Sequence, residues 1–311
     1  MGGTAELRGV LLPLPTVFDG SGEVDEPVMR ELTQFYLAKN IPGLFLCGPF
    51  GQGPAMTIEQ RKRVAQLVAE ETRGRVPLVV QVGAVDPYTA IELGLHAREI
   101  NAAAISMIGP YYYNDRHPEE IVLHFRMVDD AVQLPLLVYN HPGYQGYEMT
   151  PKFIQRLSRA IPRAFGAGIA TSESTGTMNE ALRYMEALPN WAIFGSARIL
   201  MPGMLQGLRG AVSSPLTLAP ELAVALVRAI DDGRTDKANW LQTLTTELEQ
   251  AIARLMTEYG RAPFIEGLRD LGLPIKQYPR WPTLPLPENE REFLLDLLRR
   301  IRGATSWMLA K

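Results

Sequence analysis

The chain is poor in the residues that build disulfide frameworks and metal clusters. Its 311 residues include one cysteine, Cys47, and four histidines, His96, His117, His124 and His141. A lone cysteine excludes an internal disulfide framework and fits a reducing compartment. Excess charge is missing too: 31 basic side chains face 34 acidic ones, for a net charge of -3, and the two signs are interspersed. With no basic stripe to attract nucleic acid or an anionic membrane, neither partner is expected. No apolar run approaches the roughly 20 residues that a membrane-spanning helix needs. The opening Met1-Gly2-Gly3-Thr4-Ala5-Glu6 lacks a basic region followed by an apolar core. These features together predict a cytoplasmic protein.

What the chain does have is alternation. Short apolar segments, read as strands over Val10–Val17, Gly43–Cys47, Pro77–Val82, Ala103–Ile108, Leu136–Tyr139, Phe165–Ile169, Ala192–Phe194 and Gly210–Ser213, are separated by amphipathic stretches. Eight strands alternating with helices predict a parallel α/β fold closed into a (β/α)8 TIM barrel. Start signals mark the helices: Asp25 with Pro27, Thr57 with Gln60 as a capping box, Asp86 with Pro87, and Thr150 with Pro151. After a helix near Pro220–Asp231 the pattern is helical over Thr235–Glu258, Ala262–Leu271 and Glu288–Arg302. The expected division is therefore a barrel over 1–231 and a C-terminal helical domain over 232–311. The proline-rich stretch from Tyr278 to Pro287 reads as a surface connector whose Trp281 and leucines want burial.

In such a barrel the chemistry sits where strands end at their carboxyl side, so the residues just after each strand carry the functional reading. Strand two leads into Cys47-Gly48-Pro49-Phe50-Gly51-Gln52-Gly53, strand four into Gly109-Pro110-Tyr111-Tyr112, and strand five reads Leu137-Val138-Tyr139-Asn140-His141-Pro142-Gly143. Strand six runs Phe165-Gly166-Ala167-Gly168-Ile169-Ala170-Thr171-Ser172. The glycine spacing at 48, 51 and 53 imitates a dinucleotide fingerprint, but no acidic residue follows at the required distance, and a tight turn explains it better. A phenol such as Tyr139 or Tyr112 can donate to a developing oxyanion or relay a proton.

These motifs resemble the dihydrodipicolinate synthase / N-acetylneuraminate lyase family, and the resemblance extends from Gly9-Val10 to the connector before Glu288. In that family strand six reads Gly-Ile-Lys, and the lysine forms a Schiff base with a 2-keto acid. Here the position holds Ala170. The resemblance implies that Tyr139 lies beside the Schiff-base position and relays protons, with Tyr112 completing the relay from a neighbouring subunit or strand end. It also implies a homo-oligomer, tetramer or dimer, with Tyr111 to Tyr113 at an interface. The family's Gly-Thr-Thr-Gly-Glu, which holds the keto-acid carboxylate, is matched by Gly48, Pro49, Phe50 and Gly51. Pro49 removes an N–H donor and Phe50 replaces a hydroxyl with a ring, which weakens carboxylate binding.

Other departures are correlated. Pro142-Gly143-Tyr144-Gln145-Gly146 lacks the arginine that one branch uses for its second substrate, and Gly195-Ser196-Ala197-Arg198 lacks the acids that the sialic acid branch uses for sugar hydroxyls. Tyr144, Phe50, Met107 and Leu216 predict an apolar pocket. Contacts to a small keto acid or aldehyde are expected from these loop residues and from Ser172, Glu173, Ser196 and Val212.

No other amine is a substitute, because Lys39, Lys62, Lys152, Lys237 and Lys311 fall in or beside helices or in the tail, and Lys276 in the connector. A metal site would need clustered ligands at strand ends. His141, Glu173 and Cys47 each have a plainer role, as a turn cap, a helix-start acid and a small buried hydrophobe. Neither metal nor cofactor is expected. Ala170 then has two readings. Either a lysine has been replaced, leaving a carbon–carbon lyase or aldolase without its nucleophile, or the barrel has diverged to acid/base work by Tyr139, Glu173 and His141, or to ligand binding alone.

Overall fold

The computed structural model describes residues 7–169, 177–276, 280 and 282–309. Eight parallel strands form a closed barrel in sequence order: β1 (Gly9–Pro13), β2 (Leu44–Leu46), β3 (Leu78–Gln81), β4 (Ala104–Ile108), β5 (Leu136–Asn140), β6 (Ala164–Ile169), β7 (Ala192–Gly195) and β8 (Gly210–Val212), which pairs back onto β1. The helices are α1 (Glu26–Leu37), α2 (Ile58–Thr72), α3 (Pro87–Glu99), α4 (Pro118–Val132), the single turn α5 (Pro142–Gln145), α6 (Pro151–Ala160), α7 (Met178–Ala187), α8 (Leu200–Leu205) and α9 (Pro220–Asp231). The tail adds α10 (Thr235–Tyr259), α11 (Ala262–Asp270) and α12 (Glu288–Leu309). The TIM barrel expected from the alternation is the observed fold, and among the described residues no helix is long and apolar enough to cross a membrane.

The expected caps form. Side chains of Asp25, Thr57, Asp86 and Thr150 accept from the backbone N–H of Val28, Gln60, Thr89 and Phe153, and Gln60 returns a bond to Thr57 N. His117 is a cap as well: its ring accepts from Glu119 N while Glu120 accepts from His117 N.

Strand limits differ from expectation for local reasons. β1 stops at Pro13 rather than Val17, because Pro13 and Pro15 have no N–H to continue a ladder. β2 stops at Leu46 because Cys47 adopts a left-handed φ of 56°. α12 runs past Arg302 to Leu309: burial of Ile301 and Thr305 outweighs the penalty of Gly303 inside a helix, about 1 kcal/mol. In the connector Leu286 is buried but Leu284 is 78% exposed, so only one of its leucines found cover. Trp281 lies outside the described residues.

The strands are apolar on both faces because each is covered on both. Leu11, Phe45, Val79, Ala104, Leu137 and Phe194 point inward and fill the barrel, while Val10, Leu12, Leu44, Leu46, Ile105 and Val138 pack outward against the helices. This parity corrects one expectation: Met107 shares the outward side with Ile105 and is fully buried under helices, so it does not reach the pocket. Leu216 does not either; it is fully buried in the turn Pro215–Leu218, in the layer between barrel and helices. Glycine is required where β1 and β8 close the barrel, since a Cβ on Gly210 would stand 1.8 Å from the Gly9 carbonyl oxygen.

Candidate active site

A cavity of about 270 Å³ opens at the carboxyl ends of the strands. One side is built by β5. Tyr139, next to last in that strand, is 8% exposed, with its ring 5.9 Å from Phe45 and 5.9 Å from His141. Burial pushes its phenol above the usual value near 10, so at neutral pH it is a proton donor.

Asn140, fully buried, holds the following loop in place. Its amide donates to Met149 O and Tyr184 Oη, and its Oδ1 accepts from Gln145 Nε2 and Met149 N. The loop so fixed delivers His141 and Tyr144 to the cavity with ring centroids 3.9 Å apart. His141 stands at the start of α5, yet its side chain makes no capping bond and its buried Nδ1 has no hydrogen-bond partner among the described residues. The expected turn-cap role therefore falls to its backbone: its carbonyl accepts from Tyr144 N and Gln145 N. Burial lowers the His141 pKa to about 4, so the ring is neutral at pH 7.

The loop after β2 contributes Gly48, Pro49 and Phe50. Arg261, just before α11, fastens it by donating to Pro49 O at 2.8 Å and Phe50 O at 3.1 Å, and the Phe50 ring packs on Phe264 of α11 at 4.6 Å. Gly51 does not line the cavity. Its carbonyl accepts from Thr16 Oγ1, and a Cβ there would lie 2.8 Å from Leu14 O, so its glycine serves the tight turn.

From β7 and β8 come Ser196, Arg198, Val212 and Ser213. The tail closes the cavity with Glu249, Ile252, Ala253 and Met256 of α10. Ser213 Oγ donates to Glu249 Oε1 at 2.5 Å and accepts from Leu216 N at 3.3 Å. Burial raises the Glu249 pKa, opposed by the Ser213 hydrogen bond and then by the charge of Arg198. Sequence reasoning missed Glu249 and Arg261 because both lie far along the chain from any strand. The available signal was the i, i+3, i+4, i+7 spacing of Glu249, Ile252, Ala253 and Met256, which puts an acid among apolar residues on one helix face.

The structure thus brings together Tyr139, Gly48, Pro49, Phe50, Tyr144, Ser196 and Val212, with His141 beside them. Tyr112 is elsewhere: it is 80% exposed, carries a φ of 74°, and packs on Tyr113 at 4.9 Å. Ala170, Ser172 and Glu173 lie outside the described residues. Ile169, the last residue of β6, lines the cavity, and Gly168 pairs with Tyr139 in register. No lysine is among the described lining residues; Lys39, Lys62 and Lys276 pair with Glu221, Glu92 and Asp25, and Lys237 donates to Met308 O.

A closed (β/α)8 barrel whose small, phenol-bearing pocket sits at the strand ends defines a class of small-molecule-binding barrels. Within that class, the chain belongs to the dihydrodipicolinate synthetase family, whose profile matches residues 6–301. It is 32% identical to the 4-hydroxy-tetrahydrodipicolinate synthase of Thermomicrobium roseum over 94% of this chain and 94% of the relative. It is 30% identical to an Escherichia coli K12 protein named "Probable 2-dehydro-3-deoxy-D-pentonate aldolase YjhH", over 94% of this chain and 97% of that one. The crystal structure of YagE from Escherichia coli K12, in complex with pyruvate, superposes with a TM-score of 0.85 at 25% identity, covering 95% of this chain and 98% of YagE.

Proposed function

We propose that the cavity binds a pyruvate-type 2-keto acid as a carbon–carbon lyase of this family does, and that Ala170 stands where the imine-forming lysine belongs. The single observation that supports this is the pairing of a retained donor with an absent nucleophile. Tyr139 is poised at the mouth as a protonated phenol, while no amine is present among the described lining residues. A methyl side chain at 170 has no lone pair to attack a keto carbon, so this chain forms no imine there. Tyr139 then donates a hydrogen bond to the bound keto oxygen.

With lysine at position 170 the sequence of events is different. Its neutral amine adds to C2, water leaves, and the resulting iminium accepts the electron pair of the cleaving carbon–carbon bond as an enamine. Tyr139 moves the accompanying proton. The pyruvate complex of YagE and the aldolase name of YjhH support a keto acid as ligand. The exposed aromatics Tyr112 and Tyr113 support a homo-oligomer, tetramer or dimer, with Tyr112 reaching a neighbouring mouth.

Borohydride reduction in the presence of pyruvate tests the reading on this chain and on Ala170→Lys. A reduced adduct only in Ala170→Lys is the expected result; an adduct on the unaltered chain overturns it. A second reading is favoured by neutral His141 beside Tyr139, namely acid/base chemistry or simple binding without an imine. In that case Ala170→Lys stays unlabelled, although the cavity still binds ligand.

A further inference from the structure

Arg261 belongs to the C-terminal tail, yet its side chain joins the loops that follow β2 and β5. Nη2 donates to Pro49 O at 2.8 Å and Nη1 to Phe50 O at 3.1 Å, and Tyr144 of the β5 loop is a further hydrogen-bond partner. Arg261, Pro49, Phe50 and Tyr144 all line the cavity. A planar guanidinium presents its N–H groups as a rigid fork, so two successive carbonyls are fixed relative to each other rather than merely held nearby.

What the fork fixes is the direction of one peptide. Pro49 O accepts a second hydrogen bond, from Gln52 N at 3.2 Å, which closes the turn from Pro49 to Gln52. No cis peptide occurs among the described residues, and in a trans peptide the N–H points opposite to the C=O. The Phe50 N–H is therefore turned away from both groups that hold the Pro49 carbonyl. Among the described residues it has no hydrogen-bond partner. It is also the first donor this loop has after Gly48, since Pro49 carries no N–H. A carbonyl that accepts two hydrogen bonds, one of them from a charged group, polarises its peptide and makes the N–H a stronger donor.

We infer that Arg261 is a positioning residue for carboxylate binding: by pinning the Pro49 and Phe50 carbonyls it aims the Phe50 N–H at the carboxylate of the ligand. The inference rests on the proposal that the cavity binds a 2-keto acid. Arg261 acts through the loop, and it restores from the far end of the chain part of the grip that the proline and the phenylalanine took from the loop's own sequence.

Amide NMR of this chain titrated with pyruvate, propanoate and pyruvamide is the test. In the unaltered chain the Phe50 amide proton moves downfield with pyruvate and far less with pyruvamide, whose end group is uncharged. Pyruvate binds roughly tenfold tighter than pyruvamide, the value of one hydrogen bond to a charged group. In Arg261→Gln that ratio falls toward one and the Phe50 shift is lost, while the amides of the barrel strands keep their positions and so report a folded variant. Arg261→Lys keeps the charge without the fork and recovers only part of the ratio. An unmoved Phe50 amide in the unaltered chain, a ratio that survives Arg261→Gln, or full recovery in Arg261→Lys overturns the inference. The keto-acid reading is judged separately: it fails when propanoate binds as tightly as pyruvate, while the Phe50 shift that either carboxylate produces still judges Arg261.

Discussion

Lowering the pH protonates His124 only at the expense of folding, and the size of the effect follows from where α4 puts the ring. His124 is 4% exposed, and neither ring nitrogen has a hydrogen-bond partner among the described residues. Burial first, then the charge of Arg116, lowers its pKa from 6.5 to about 4, against a smaller opposing effect of Asp86. The unfolded chain keeps the ordinary value, so between the two it binds more protons than the folded one, and stability falls as pH falls. The neutral ring's contribution is fully present above pH 6.5 and lost by about pH 4. At about 1.4 kcal/mol per pH unit the complete loss is about 3 kcal/mol, of which about 2 kcal/mol has gone by pH 5.

His124→Leu removes that titration and also removes two unpartnered buried nitrogens. The variant is therefore at least as stable at pH 8, and its advantage over the unaltered chain widens by about 2 kcal/mol on going to pH 5. Urea unfolding at a series of pH values measures this, because slopes common to both proteins, including that of His141, cancel in the difference. Parallel stability curves for the two proteins would refute the reasoning.

Two substitutions test the framework. Asn140→Ala removes four hydrogen bonds at the end of β5 and takes from Met149 N its acceptor in the core, while Met149 O and Gln145 Nε2 keep Tyr184 Oη and Tyr147 O. It is expected to cost about 2–4 kcal/mol in urea unfolding and to weaken keto-acid binding, because His141 and Tyr144 lose their support. Gly210→Ala forces a methyl group against the Gly9 carbonyl at the barrel seam. It destabilises by about 3 kcal/mol or more, read as a lowered thermal midpoint, and an unchanged midpoint contradicts the tight closure.

The barrel was legible because eight apolar segments alternate with capped helices, and Asp25, Thr57, Asp86 and Thr150 each cap as read. Strand faces were not legible. A strand such as Ala104-Ile105-Ser106-Met107-Ile108 is apolar almost throughout, so nothing in its pattern says that Met107 points outward. The cavity residues supplied by strand ends, such as Tyr139 and Ser196, follow from the fold's own geometry. Glu249 and Arg261 do not, since a helix that joins the mouth from the far end of the chain announces itself only through packing. Where Cys47 turns left-handed, no residue type at that position predicts it.

The helix that carries Glu249 belongs to no strand pair, and it reaches the mouth while resting on α9 and α12. Its inner surface can therefore be rewritten without disturbing a single rung of the cylinder's ladder. The cylinder and the wall laid across its mouth are separate parts, much as interchangeable jaws are fitted to a fixed vice.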